Sequence, residues 1–278
     1  MGWTEPEGLG KHSREEAAPA TPATIEEEAA TGATTKRPRS DPEAESEGPS
    51  AMEIEPAGGL PVRRHFCWTF MDFVTRWTGT ACVQNPQFSM NSGNVPRGVA
   101  NFTIHGSWPD RDDGTWPAFC NDSYPFSWNQ IADLKPQLDL NWPSFNGPNA
   151  DFYTHEWNKH GTCALNVAKD EHDYFQRTLA LNSRYDLSAA LARAGFVPST
   201  TNTYNVNDMT AAISKAIGKT AAIQCANVNK KLYFLAVHIC LDKNFQPMNC
   251  PAFVVKDCQQ GCYVSTAMMP PVTDSCYR

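Results

Sequence analysis

Large apolar residues are sparse over the first 64 positions and crowd in from Phe66 onward. The mixture of aromatic and β-branched side chains around Phe70, Phe73 and Val74 predicts a first strand from Phe66 to Val74, with Trp77 just beyond it. An Asn, Ser, Gly and Pro loop follows from Asn85 to Gly98, then a short strand from Val99 to His105. Helical periodicity enters later. Tyr174, Phe175, Thr178 and Leu179 recur at i, i+1, i+4 and i+5; a second helix starts near Leu187 and stops at Gly195; a third runs from Asp208 to Ile217 and stops at Gly218. Ala221–Cys225 and Leu232–Leu241 read as strands, followed by Cys-rich loops. Strands and helices do not alternate regularly, and no internal repeat is present. The pattern predicts an α+β domain, not a doubly wound one.

Composition sharpens the boundary. Of the 278 residues, the first 64 hold 13 acidic and 7 basic side chains, no Cys, and Trp3 as their sole aromatic. Such a segment cannot bury enough surface to offset ordering entropy, so residues 1–64 are expected to form a disordered acidic tail and residues 65–278 a single domain. Lys36, Arg37 and Arg39 within the tail read as solvated charge. The remaining 214 residues carry 16 basic and 17 acidic groups, which excludes nucleic-acid binding by bulk positive charge. No run of 18 apolar residues predicts a membrane span. All ten cysteines fall in the domain, an even number that points to disulfides and an oxidising compartment, whereas no apolar signal core stands near Met1. The two signs of compartment conflict.

Two segments carry chemistry. The first, Phe102-Thr103-Ile104-His105-Gly106-Ser107-Trp108-Pro109-Asp110, reads as a histidine at a strand end entering a Gly and Pro turn. The second, Phe152 to Cys163, packs His155, Glu156, Lys159 and His160 into six residues. At 100° per residue these four fall within a 140° arc, so a helix presents all of them on one face. A zinc protease needs His-Glu-x-x-His, whereas here three residues intervene and an ammonium stands beside the second histidine, so no metal is expected. Burying such a quartet as core would desolvate several charges. Histidines, a lysine and a glutamate instead suit cleavage of a phosphodiester by its own 2′-hydroxyl, which needs a base, an acid and cations around a five-coordinate phosphorus.

These segments resemble the paired signatures of the ribonuclease T2 family, Ile-His-Gly-Leu-Trp-Pro and His-Glu-Trp-x-Lys-His-Gly-Thr-Cys, in wording nearest to the S-like ribonucleases of plants. Trp77 with Cys82 is similar to the family's Gln-Trp-Pro-x-x-x-Cys strand and Trp116-Pro117-Ala118-Phe119-Cys120 to its Tyr-Pro-x-x-Cys. Ile223-Gln224-Cys225, Ile239 to Asp242 and Asn249-Cys250-Pro251 are similar to its C-terminal core. The resemblance implies an antiparallel sheet with packed helices, cross-linked by disulfides. It implies an endoribonuclease acting on single-stranded RNA as a monomer without cofactor, leaving 2′,3′-cyclic phosphate ends. By position, His105 would protonate the leaving 5′-oxygen and His160 would take the 2′-hydroxyl proton. Glu156 and Lys159 would stabilise the phosphorane, His155 would hold phosphate, and Trp108, Asp110 and Trp116 would form a base pocket. The implied disulfides are Cys120–Cys163, Cys240–Cys250 and Cys225 with Cys258 or Cys262, leaving Cys67, Cys82 and Cys276 unassigned. Ser107, Thr78 and Trp116 depart from the family's Leu, Pro and Tyr, and a Cys-Cys pair and its partner near Trp142 are absent. Secretion would turn Asn101 and Asn121 into glycosylation sites. The rival from another class is a storage or recognition protein with a vestigial site; the retention of His105, His155, Glu156, Lys159 and His160 argues against it, and a zinc hydrolase is a third alternative.

Overall fold

A computed structural model describes residues 67–84, 102–145, 147–254, 258 and 266–272. The expected tail, the Asn85–Gly98 loop, Asn101, Cys262 and Cys276 lie outside the described residues. The elements are β1 (Phe70–Trp77), α1 (Thr78–Gln84), β2 (Phe102–Asp110), α2 (Lys135–Asn141), α3 (Asn149–Lys159), α4 (Glu171–Arg184), α5 (Leu187–Arg193), β3 (Thr203–Asn205), α6 (Val206–Ile217), β4 (Ala222–Val228), β5 (Lys231–Leu241) and β6 (Thr266–Met268). The class is α+β, as the pattern predicted.

The three expected helices form, and each has a local cause. The Asp170 carboxylate caps α4 at the Asp173 N–H, 2.9 Å, Asp186 caps α5 at the Ala189 N–H, and Asn205 caps α6. Gly218 closes α6 in the left-handed conformation at φ 81°. The six strands form one sheet in the order β2-β1-β5-β6-β3, with β4 on β5. Among the described residues the pairings are antiparallel except for a parallel bridge between Tyr233 of β5 and Met268 of β6.

Side chains alternate across β1. Met71, Phe73 and Trp77 enter the main core with Ile104, Val237, Ile239 and Leu241, covered by Tyr174, Phe175 and Leu179 of α4 and Met209 and Ile213 of α6. The opposite face carries Phe70, Cys240 and Val254 in a smaller cluster, and it also carries Asp72, Val74 and Arg76.

Disulfides join Cys120 to Cys163, Cys225 to Cys258 and Cys240 to Cys250; Cys82 is also disulfide-bonded, and Cys67 is free and exposed. Among the described residues no helix is long and apolar enough to cross a membrane.

The two leading strands differ from expectation. β1 runs on to Trp77, and β2 continues five residues past His105 through Gly106 and Pro109. Gly and Pro read as turn formers, but among the described residues β2 stands at the end of the sheet order, where Pro is tolerated.

Candidate active site

His105 therefore sits inside a strand, half-buried, and is turned toward Trp108 by an irregularity of that strand. Val74 pairs with Gly106 and Thr75 with Ile104, so His105 is the extra residue of a β-bulge. In a regular strand, positions i and i+3 point to opposite faces. The bulge restores His105 and Trp108 to one face, where their rings meet edge-on at 4.9 Å between centroids. Two side chains hold the bulge from the sheet's edge: the Trp142 indole donates to the His105 carbonyl and the Tyr174 hydroxyl to the Ser107 carbonyl, both at 2.9 Å. Burial and the nearby Glu156 push the Tyr174 phenol well above its ordinary range, so it serves as a donor.

The second segment is helical, as its spacing predicted. Helix α3 ends at Lys159, and His160 follows as its C-cap with its N–H bonded to the Glu156 carbonyl. Nitrogen and oxygen atoms of His155, Glu156 and His160 all lie within 4.8 Å of one another. Glu156 is 1% exposed and His160 5%, whereas His155 is exposed and Lys159 half-buried. Trp157 turns away into the core and donates to the Tyr124 carbonyl at 2.7 Å.

Trp108 links the two segments. Its indole N–H donates to Glu156 Oε2 at 2.9 Å, and the His160 ring lies 5.2 Å from it at an interplanar angle of 30°. Gly106 makes this approach possible, since a Cβ there would overlap both the Trp108 indole and the Glu156 carboxylate. Five of the eight residues singled out by sequence, His105, Trp108, His155, Glu156 and His160, thus form one contiguous cluster, with Lys159 on the same helix.

Asp110 and Trp116 do not join the cluster in the same way. Asp110 is 1% exposed, so its carboxylate is not presented on the surface, and Trp116 is 46% exposed in the loop after β2. That loop is tied to the helix end by Cys120–Cys163 and by the Phe119 N–H on the Lys159 carbonyl at 3.0 Å.

Sequence reasoning missed Arg76, whose Nη2 lies 2.6 Å from His105 Nε2 and whose guanidinium sits over the Phe145 ring. It also missed a buried pair behind the site, His238 Nδ1 and Asp72 Oδ2 at 2.9 Å. Burial, then Arg76, then His238, His160 and His155 hold the His105 imidazole well below the ordinary histidine range.

His155, Glu156 and His160 are the donors a metal would use. Tetrahedral zinc with bonds near 2.0–2.1 Å requires ligand atoms about 3.3 Å apart. Glu156 Oε2 already accepts from the Trp108 indole of β2.

Comparison with known proteins agrees with this architecture. The Ribonuclease T2 family is matched over residues 68–250, which spans both segments. Ribonuclease DdI of Dictyostelium discoideum is 38% identical over 189 residues, covering 66% of this chain and 78% of that one. Extracellular ribonuclease LE of Solanum lycopersicum is 37% identical over 192 residues, covering 66% and 81%. The solved structure of an RNase-related protein from Calystegia sepium superposes with a TM-score of 0.63 at 31% identity, over 73% of this chain and 98% of that chain. With the fold, both signature segments and these relatives in agreement, the chain belongs to the ribonuclease T2 family and is a T2-type ribonuclease.

Proposed function

We propose that the chain cleaves single-stranded RNA by metal-independent transesterification, with His160 as base and His105 as acid. The observation that carries this reading is that both imidazoles pack against the same Trp108 indole, one from each signature segment. His160 takes the proton of the 2′-hydroxyl as O2′ bonds to phosphorus; the P–O5′ bond breaks as His105 delivers a proton to O5′, leaving a 2′,3′-cyclic phosphate. Lys159 and His155 offset the added charge at phosphorus, and Glu156 holds the geometry through Trp108. Trp108 is occupied by Glu156 and Asp110 is buried, so base stacking falls chiefly to exposed Trp116. Residues 65–278 form the catalytic domain and act as a single copy, because every proposed group comes from one chain. Disulfides support an oxidising compartment, in keeping with entry to the secretory pathway.

Purified protein should cut single-stranded RNA in excess EDTA and leave the same sequence as DNA intact. His105→Ala and His160→Ala should each lower turnover on the order of 100-fold or more, because each removes one partner of the proton transfer. Chelator inhibition rescued by zinc, or cutting at a 2′-deoxy linkage, overturns the mechanism; folded protein that cleaves nothing at any pH restores the vestigial reading.

A further inference from the structure

The acid role proposed for His105 conflicts with its contact in the free protein. A guanidinium only donates, so at 2.6 Å Arg76 Nη2 makes His105 Nε2 an acceptor. The ring is then neutral, with its proton on Nδ1. A general acid must instead carry a proton that points at O5′. If that proton is on Nε2, the Arg76 bond has to break before the P–O5′ bond can.

The geometry supplies what breaks it. O5′ must come within about 3 Å of the acid's nitrogen, which brings the scissile phosphate to within roughly 6 Å of Arg76. A planar guanidinium bonds a phosphate oxygen through a charge-assisted, often bidentate contact, stronger than its bond to a neutral imidazole. Half-buried Arg76 lies on β1 beside the bulge, braced over Phe145, on the sheet face that carries Trp108. The remaining groups that face His105 are His238 from β5, with Asp72 as its partner, and His155 and His160 from the end of α3; Glu156 stands behind Trp108. The cationic forms of these histidines act on His105 in the same direction as Arg76, so only substitution of Arg76 itself separates its effect.

We propose that Arg76 is a phosphate-gated partner of His105: it occupies Nε2 in the free enzyme and moves to the scissile phosphate when RNA binds, freeing the imidazole to take up the proton that it then donates. The proton comes from solvent, passes to His105 and leaves on O5′; no other atom is exchanged. This inference rests on the acid role proposed above and adds a residue and a trigger to it.

Ring-resonance NMR titration of His105 in the full chain, assigned by loss of the signal in His105→Asn, reads the gate without turnover. In the parent, inorganic phosphate should raise the pH at which His105 titrates. In Arg76→Gln, His105 should titrate about 1 to 2 pH units higher than in the parent before any phosphate is added, and phosphate should move it further by much less. Phosphate affinity should fall about tenfold, the scale of one charged hydrogen bond. In kinetics, the alkaline limb of kcat/KM should lie below that of kcat in the parent, and the gap should close in Arg76→Gln. Arg76→Lys, which keeps the charge without the fork, should keep His105 low yet bind phosphate more weakly; it carries the same test if the glutamine variant fails to fold. Identical titration of His105 in the parent and Arg76→Gln overturns the gate even if the enzyme cleaves RNA as proposed. The stated NMR shifts in a protein that cleaves no RNA support the gate while rejecting the proposed function.

Discussion

Glu171 offers a test of the packing that supports the site, because its carboxyl is buried where an ionised form is poorly accommodated. It stands at the first position of α4, 6% exposed, with both oxygens near the Ser127 N–H at 3.1 and 3.2 Å. Burial, opposed by that N–H and reinforced by Asp170, pushes its pKa up to about 7 from 4.5. The native state therefore holds this proton more tightly than the unfolded chain does. Its contribution to stability is full below about pH 4.5 and is lost as pH rises through 7. At about 1.4 kcal/mol per unit, the whole shift corresponds to about 3 kcal/mol; partial solvation of the carboxyl reduces this to about 1–2 kcal/mol. Glu171→Gln keeps an acceptor for Ser127 and removes the titration. Urea denaturation of parent and variant should give similar stability at pH 5 and a variant more stable by about 1–2 kcal/mol at pH 8, or roughly 2–8 °C in Tm for a domain of this size. A stability difference that is the same at both pH values, or a variant less stable at pH 8, refutes the argument.

The Trp108 indole bond to Glu156 can be removed without emptying the ring's place. Trp108→Phe should lower kcat roughly 10- to 100-fold, the scale of one hydrogen bond to a charged acceptor, and should also lower Tm because the buried Glu156 carboxylate loses a donor; a parental kcat would show that Glu156 needs no such anchor. Replacing both Cys120 and Cys163 by Ser opens a loop closed across 43 residues and should cost about 4 kcal/mol on the chain-entropy account, read by chemical denaturation. The same variant should raise KM for RNA, since the loop bearing Trp116 loses its covalent tie to the His160 segment and keeps only hydrogen bonds such as the Phe119 N–H on the Lys159 carbonyl.

Helices were legible where one face repeats and a cap residue marks the end, as with Tyr174, Phe175, Thr178 and Leu179 before Arg184, and Gly218 after α6. Helix α1 was not, because Thr78, Gly79 and Thr80 are poor helix formers held in place by tertiary contacts, among them burial and the Thr80 hydroxyl on the Phe234 carbonyl. The catalytic candidates on α3 were legible because their spacing along one helix already puts them on one face. Arg76 was legible only in part: it stands where the Gln-Trp-Pro-x-x-x-Cys strand has Gln, but only the pairing of β1 with β2 brings it to His105. The His238–Asp72 pair is separated by 166 residues and left no local signal at all. The strand through Gly106 and Pro109 was misread because turn chemistry and edge-strand tolerance share the same residues.

The bulge at His105 ties fold and chemistry to a single count of residues. Deleting one residue between Ile104 and Trp108 would let β2 pair with β1 without interruption, and the hydrogen-bond ladder would gain by it. Smoothing out the bulge at constant length would instead slide one side of the strand by a residue and turn its side chains to the opposite face, so that an imidazole at this point and the indole three places on could no longer meet. A lineage drifting toward a more regular sheet would lose its acid first and its fold last.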